Sequence, residues 1–136
     1  MSEVPVLYDM IIPWSVELGF QLISVGDGLC SLRLPWREKL TNLGGGVATG
    51  AIASLIDHAC GLAIISRLQR TSISTLNLKI DHIRLPVAGS QLTAWAHCYC
   101  VSETMAFVRA EVWDRDPIDV LSAAQGVFAL NEMAAA

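Results

Sequence analysis

An acid in the middle of an apolar helix is where this sequence could do chemistry. Asp57 stands among Leu55, Ile56, Ala59 and Cys60. A charged carboxylate in such surroundings costs free energy unless it is paired or wetted. Two readings fit the position. The carboxylate hydrogen-bonds a loop backbone, or it faces a cleft and serves as a base or nucleophile. A second feature lies just upstream, where Gly44, Gly45, Gly46 and Gly50 lead into the same helix. Free backbone N–H groups at a helix start attract negative charge, and glycines let a ligand come close. Alone, this is also how an ordinary loop and cap would look. Thr49 and Asp57 are eight positions apart. At about 1.5 Å per residue that is roughly 12 Å along the axis. One carbonyl group cannot touch both in the same chain. If they act together, each comes from a different subunit, and the active unit is a dimer or larger.

The elements that must position these residues follow from pattern. Trp14 to Leu18 fits one or two helical turns after Pro13. Gln21 to Val25 and Leu29 to Leu34 read as a hairpin about Gly26-Asp27-Gly28,. Thr49 is a plausible N-cap for a helix that begins at Gly50 and runs to about Arg67, apolar around most of its circumference,. Four strands are expected after it: Ser74 to Arg84, Gln91 to Ser102, Met105 to Asp114, and Asp119 to Asn131. In the first of these, alternation puts Leu76, Leu78 and Ile80 on one face and Asn77, Lys79 and Asp81 on the other. Two strands, one buried helix and four strands indicate an α+β domain, an antiparallel sheet wrapped around the helix.

Composition bounds the rest. The 136 residues suit one domain, residues 1–136,. The chain is 53% hydrophobic and 16% charged, with a mean hydropathy of +0.48. So apolar a small chain usually needs a further surface on which to bury itself, which again points to an oligomer. A net charge of −4 with 9 scattered Lys and Arg argues against nucleic acid,. Val47 to Ser66 has nearly the length of a membrane span, but Asp57 and His58 at its centre argue for a buried helix instead. The N-terminus lacks the basic region and apolar core of a signal peptide. Cys30, Cys60, Cys98 and Cys100 form no metal-binding spacing, and the apolar surroundings suggest buried free thiols in a cytoplasmic protein,. Cys98 and Cys100 should share one strand face, where a disulfide would be strained.

The stretch from Thr41 to Asp57, TNLGGGVATGAIASLID, resembles the signature of hotdog-fold thioesterases of the phenylacetate-degradation type. That signature has an Asn, a nearby Gly, a His-Gly-Gly at the helix start and an Asp in mid-helix. The strand from Ser74 to Arg84 is also similar, and the element order agrees from about Trp14 to Asn131. The resemblance implies a hotdog fold and hydrolysis of an acyl-CoA thioester, of aryl or medium-chain type. No metal or cofactor is implied; coenzyme A belongs to the substrate. It implies a homo-oligomer, dimer or tetramer, with the active site shared between subunits. By the same resemblance Asp57 is the catalytic carboxylate, acting as nucleophile or general base. Asn42 helps place water or thioester, the Thr49 backbone N–H polarises the thioester carbonyl, Gly50 is the second Gly, and Thr75 assists the carboxylate. Ala48 stands where the family usually has His, an auxiliary residue.

Other residues weigh less. His58 points about 100° away from Asp57 around the helix and reads as structural. His82 and His97 fall in strands. Trp14, Trp36, Trp95 and Trp113 suit packing, though Trp14 or Trp36 could wall an acyl pocket. Arg67, Arg70, Lys79 and Arg84 could bind CoA phosphates, with solvated surface the plainer reading of each. Ser54 lacks the G-x-S-x-G context of a hydrolase nucleophile. Three alternatives remain: a hotdog hydratase or dehydratase, a non-catalytic acyl-CoA binding module, and a structural domain. The hydratases place a His five positions after the Asp, where this chain has Leu62. A binding module would need neither Asp57 nor Asn42. A structural domain would leave the apolar excess and the buried acid without purpose.

Overall fold

The computed structural model describes residues 2–3, 13–68 and 72–131. Arg70, one of the basic candidates, lies outside the described residues. In chain order the elements are β1 (Ser2–Glu3), α1 (Pro13–Leu18), β2 (Gln21–Gly26), β3 (Leu29–Leu34), a 3-10 turn at Glu38–Leu40, α2 (Thr49–Leu68), β4 (Ser72–His82), β5 (Leu92–Val101), β6 (Met105–Trp113) and β7 (Ser122–Asn131). The strands form one antiparallel sheet in the order β1-β2-β3-β5-β6-β7-β4. The α+β expectation holds, with the two-residue β1 added at one edge. The crossover from β3 through α2 leaves β4 at the other edge.

Helix α2 has no polar face, because it lies in the hollow of the sheet. Ile52, Leu55, Ile56, Leu62 and Ile64 are almost wholly buried, and α2 packs chiefly on β3, β5 and β6. Those strands meet it with Leu32, Leu34, Ala94, Ala96, Ala106, Val108 and Val112, all buried. Small alanines at the centre let helix and sheet approach closely. By length and hydropathy alone α2 could cross a membrane, but 72% of its apolar window is buried in this fold.

Four local readings are corrected. The β2–β3 turn is as expected, with Asp27 and Gly28 both at positive φ (54° and 80°), as a tight two-residue hairpin demands,. The cap of α2 is not. The Ala48 carbonyl accepts from the N–H groups of Ala51 and Ile52, so Ala48 is the N-cap and Thr49 is already helical,. Strand β4 bulges between Thr75 and Asn77, so Leu76 leaves the alternation and is 59% exposed,. Strand β5 bulges between Cys98 and Cys100, so Cys98 is buried while Cys100 is exposed; the two do not share a face. All four cysteines are free. Finally, β7 starts at Ser122 rather than Asp119. Residues 116–119 instead close a turn, in which the Asp119 N–H donates to the Asp116 carbonyl and the Ile118 N–H to Asp116 Oδ1,.

Candidate active site

The β4 bulge decides what Asp57 meets. Thr75 pairs with Phe128 on β7, and Phe128 is buried on the helix side. Asn77 pairs with Val127, one position back along β7. Strict alternation would put Thr75 and Asn77 on the same face. The extra residue, Leu76, turns Thr75 inward with Leu78. There the Thr75 hydroxyl donates to Asp57 Oδ1 at 2.7 Å. A hydroxyl bonded to a carboxylate is among the stronger neutral-to-charged hydrogen bonds, and it fixes the carboxylate rotamer. The loop-backbone reading of Asp57 is therefore replaced by a side-chain partner on a strand.

Asp57 is half-buried at a pocket of about 370 Å³, lined by Trp14, Phe20, Ser54, Asp57, His58 and Leu78 among others. Helix α1 supplies Trp14, whose indole N–H donates to Ser54 Oγ at 3.0 Å. Ser54 in turn donates to the Gly50 carbonyl at 3.1 Å. The pocket wall is thus tied to the first turn of α2. His58 is buried, and its Nε2 has no hydrogen-bond partner among the described residues. Its ring lies 5.4 Å from that of Phe20. Burial lowers its pKa, with Asp57 opposing. The sequence reading of His58 as purely structural missed that it lines the same pocket as Asp57.

The helix start presents its own geometry. The N–H groups of Thr49 and Gly50 have no partner among the described residues, since the cap is an alanine with no side-chain acceptor,. Both residues are exposed. The turn before them is held tightly. The Asn42 N–H donates to the Gly46 carbonyl (2.9 Å), and the Gly44 N–H donates to Asn42 Oδ1 (2.9 Å). The indole of Trp36 donates to the Gly45 carbonyl at 2.9 Å. Gly46 faces Pro86 so closely that a Cβ would stand 2.7 Å from the Pro86 carbonyl oxygen. Asn42 thus uses its side-chain oxygen to shape the turn. None of Asn42, Thr49 or Gly50 lines the Asp57 pocket. One chain brings together Asp57 and Thr75, and leaves Asn42, Thr49 and Gly50 on the turn and helix start away from that pocket.

Two of the basic candidates, Arg84 and Arg67, are engaged elsewhere. Arg84 makes a bidentate pair with the fully buried carboxylate of Asp114 (2.7 and 3.2 Å) and reaches Asp119 at 3.1 Å. Arg67 donates to the Cys98 carbonyl at 3.0 Å. Among the described residues no cluster of His, Cys, Asp or Glu is placed to hold a metal ion. Burial pushes the Cys30 thiol up to about 12, and those of Cys60 and Cys98 also upward, so these thiols are unreactive,.

A sheet closed over one buried helix, with an acid projecting from that helix, is the hotdog arrangement. The chain belongs to the thioesterase superfamily, whose family model matches residues 44–121. It is 32% identical over 113 residues to a Halobacterium salinarum protein whose name assigns it provisionally to the esterases, covering 76% of this chain and 75% of that one. Among solved structures, a conserved Pseudomonas aeruginosa protein, PA5202, is 33% identical, with a TM-score of 0.84 over 93% of this chain and all of the other. The PaaI protein of the Escherichia coli phenylacetic acid degradation operon shares the fold at 20% identity, with a TM-score of 0.82 over 93% of this chain and 88% of that one.

Proposed function

We propose that the protein hydrolyses acyl-CoA thioesters with an aryl or medium-chain acyl group. The observation that carries this reading is the Asp57 carboxylate, fixed by Thr75 at the edge of a small, largely apolar pocket. A volume of about 370 Å³ suits an acyl group of that size,. A thioester is already activated, so its hydrolysis needs chiefly a carboxylate and hydrogen-bond donors for the developing oxyanion. The free N–H groups of Thr49 and Gly50 are such donors, and the Asn42 amide NH2, on the turn that precedes them, would hold water or the thioester. Because they lie away from Asp57 in one chain, they serve the Asp57 of a second subunit. Edge strand β4, eleven residues long and mostly exposed, supports such pairing,. Attack by Asp57 on the thioester carbon would expel the CoA thiolate and give an anhydride that water cleaves. As a base, Asp57 would instead take a proton from the attacking water. Cytoplasmic residence accords with four free thiols,.

Position 62, where a hydratase would carry its His, is a wholly buried leucine. That speaks against dehydration chemistry. The test is thiol release from a panel of acyl-CoAs by wild type and Asp57→Asn side by side. The expected result is turnover by wild type and a loss of at least about 10²-fold in the variant. Equal turnover in both would sink the mechanism. Tight binding of an acyl-CoA with no turnover would make the protein a binding module, with Ala48 in place of the family His as the suspect.

A further inference from the structure

The loop between β4 and β5, residues 83–91, belongs to no helix or strand, yet it is gripped at its centre. Arg84 and Asp114 hold it on both sides of Pro86. The Arg84 guanidinium pairs with Asp114 and also donates to the Leu85 carbonyl at 3.2 Å. Asp114 Oδ2 accepts from the Val87 N–H at 2.8 Å. Both peptide groups that flank Pro86 are therefore fixed to one ion pair, whose carboxylate side chain is fully buried. Pro86 is itself buried and lies against the turn that leads into α2. Its carbonyl oxygen packs on Gly46, and the Ala88 Cβ packs on Gly45, where an added Cβ would stand 3.3 Å away. The Gly89 N–H donates to the Gly45 carbonyl at 3.3 Å, an acceptor shared with the Trp36 indole. Next along the chain, Val47 is wholly buried, and the Ala48 N–H donates to the Leu40 carbonyl at 2.8 Å.

We propose that Arg84 and Asp114 are positioning residues for the start of α2: through Pro86 and Gly46 they fix where the N–H groups of Thr49 and Gly50 stand. This rests on the proposed role of those N–H groups as oxyanion donors. Burying an ion pair does not by itself stabilise a fold, because desolvation offsets the attraction. What such a pair does supply is fixed geometry, and here the geometry is passed to the loop backbone. Asp114 gives one oxygen to Val87, and Arg84 gives one N–H to Leu85. Gly46 has no side chain, so Pro86 meets its backbone directly, and in a close-packed contact a shift of one displaces the other. Gly46 lies two residues before the cap Ala48, and the residue between them is locked in the core. Oxyanion donors must stand about 2.7–3.1 Å from the developing charge. A displacement of about 1 Å can cost about 10²-fold in rate. The task suits an arginine. A lysine could pair with Asp114, but it lacks the planar fork that also reaches Leu85 and Asp119,. Neither Arg84 nor Asp114 lines the Asp57 pocket, so their effect falls on the helix start and not on the acid.

The experiment compares full-length wild type, Arg84→Lys, Asp114→Asn and a control, Ser66→Ala. The control removes the acceptor of the Gly28 N–H (2.9 Å) at the far end of α2, so it weakens the fold without touching the helix start. Circular dichroism confirms that each variant folds. Two quantities are read: amide hydrogen exchange by mass spectrometry, and kcat and KM on the acyl-CoA that wild type turns over fastest. In residues 41–48 the N–H groups of Asn42, Gly44, Gly45 and Ala48 are all bonded. Exchange there should speed up at least about tenfold in Arg84→Lys and Asp114→Asn, with the body of α2 unchanged. Ser66→Ala should leave that segment as in wild type. In the two pair variants kcat should fall at least about tenfold while KM moves less than about threefold, because the donors act on charge that develops in the transition state. Unchanged exchange at residues 41–48 in the folded pair variants would overturn the proposal. So would faster exchange with unchanged kcat, or an equal loss of kcat in Ser66→Ala. If wild type hydrolyses no acyl-CoA, the functional reading fails on its own, and the exchange result alone decides whether the pair holds the turn.

Discussion

At the scale of single residues, the Thr75–Asp57 hydrogen bond carries the most weight. Thr75→Val keeps the shape of the side chain and removes the donor. If Asp57 works as proposed, its rotamer loosens and kcat/KM should fall about tenfold or more, as expected for a lost bond worth roughly 1.5–3 kcal/mol to a charged group. Acyl-CoA kinetics with the fold verified by circular dichroism would measure it, and unchanged kcat/KM would assign the bond to structure alone. Asp114 offers a test independent of function. The Arg84 guanidinium holds its carboxyl at about 2, below the ordinary 3.8, with burial opposing and the Val87 N–H assisting. Between those values the unfolded chain binds the extra proton. The contribution, on the order of 2 kcal/mol, is therefore complete above about pH 3.8 and lost as pH falls toward 2. Urea melts across that window should show the loss in wild type and a flatter profile in Arg84→Gln. His58 acts at milder pH. Its pKa is lowered by burial, so stability should begin to drop below about pH 6.5, where the unfolded imidazole protonates,.

Among the elements, strand β4 shows what sequence patterning can and cannot reach. Alternation from Leu78 to Asp81 is plain in the sequence and holds in the sheet. The bulge at Leu76 is not written in any residue type, since no Gly or Pro marks it; it arises from how β4 must pair with β7. Yet it is the bulge that turns Thr75 toward Asp57. That Thr75 meets Asp57 was suggested only by family resemblance. Deleting Leu76 should straighten β4, carry Thr75 to the outer face and abolish hydrolysis. A crystal structure of the deletion variant should show the Thr75 hydroxyl turned away from Asp57. The bulge at Tyr99 has the same origin, and it separates Cys98 from Cys100. In contrast, the hairpin at Asp27-Gly28 and the burial of α2 were readable, because positive φ and an unbroken apolar surface each leave a mark in composition. The turn from residue 41 to 47 was seen as glycine-rich, but its purpose needed the structure. Gly46→Ala would press a methyl group against the Pro86 carbonyl, which neither backbone can easily yield. A loss of about 1–3 kcal/mol is expected from thermal or urea unfolding.

For the whole molecule, a single chain holds the acid in one place and the free helix N–H groups in another. If the two act together as proposed, the working unit is an assembly, and turnover per subunit should fall on dilution below the dissociation constant. The alanine at position 48 has a further consequence. A helix that begins with serine or aspartate satisfies its own first turn; this one leaves that task to whatever binds there. Substrate, once bound, would complete the helix, so occupancy and folding draw on the same free energy. Restoring a cap with Ala48→Ser should raise the melting stability by about 1 kcal/mol. The same serine oxygen would compete for the N–H groups proposed to hold the thioester. The gain in stability would then appear as a weaker hold on substrate, making an unfinished helix end the means by which a small hydrophobic protein keeps room for its ligand.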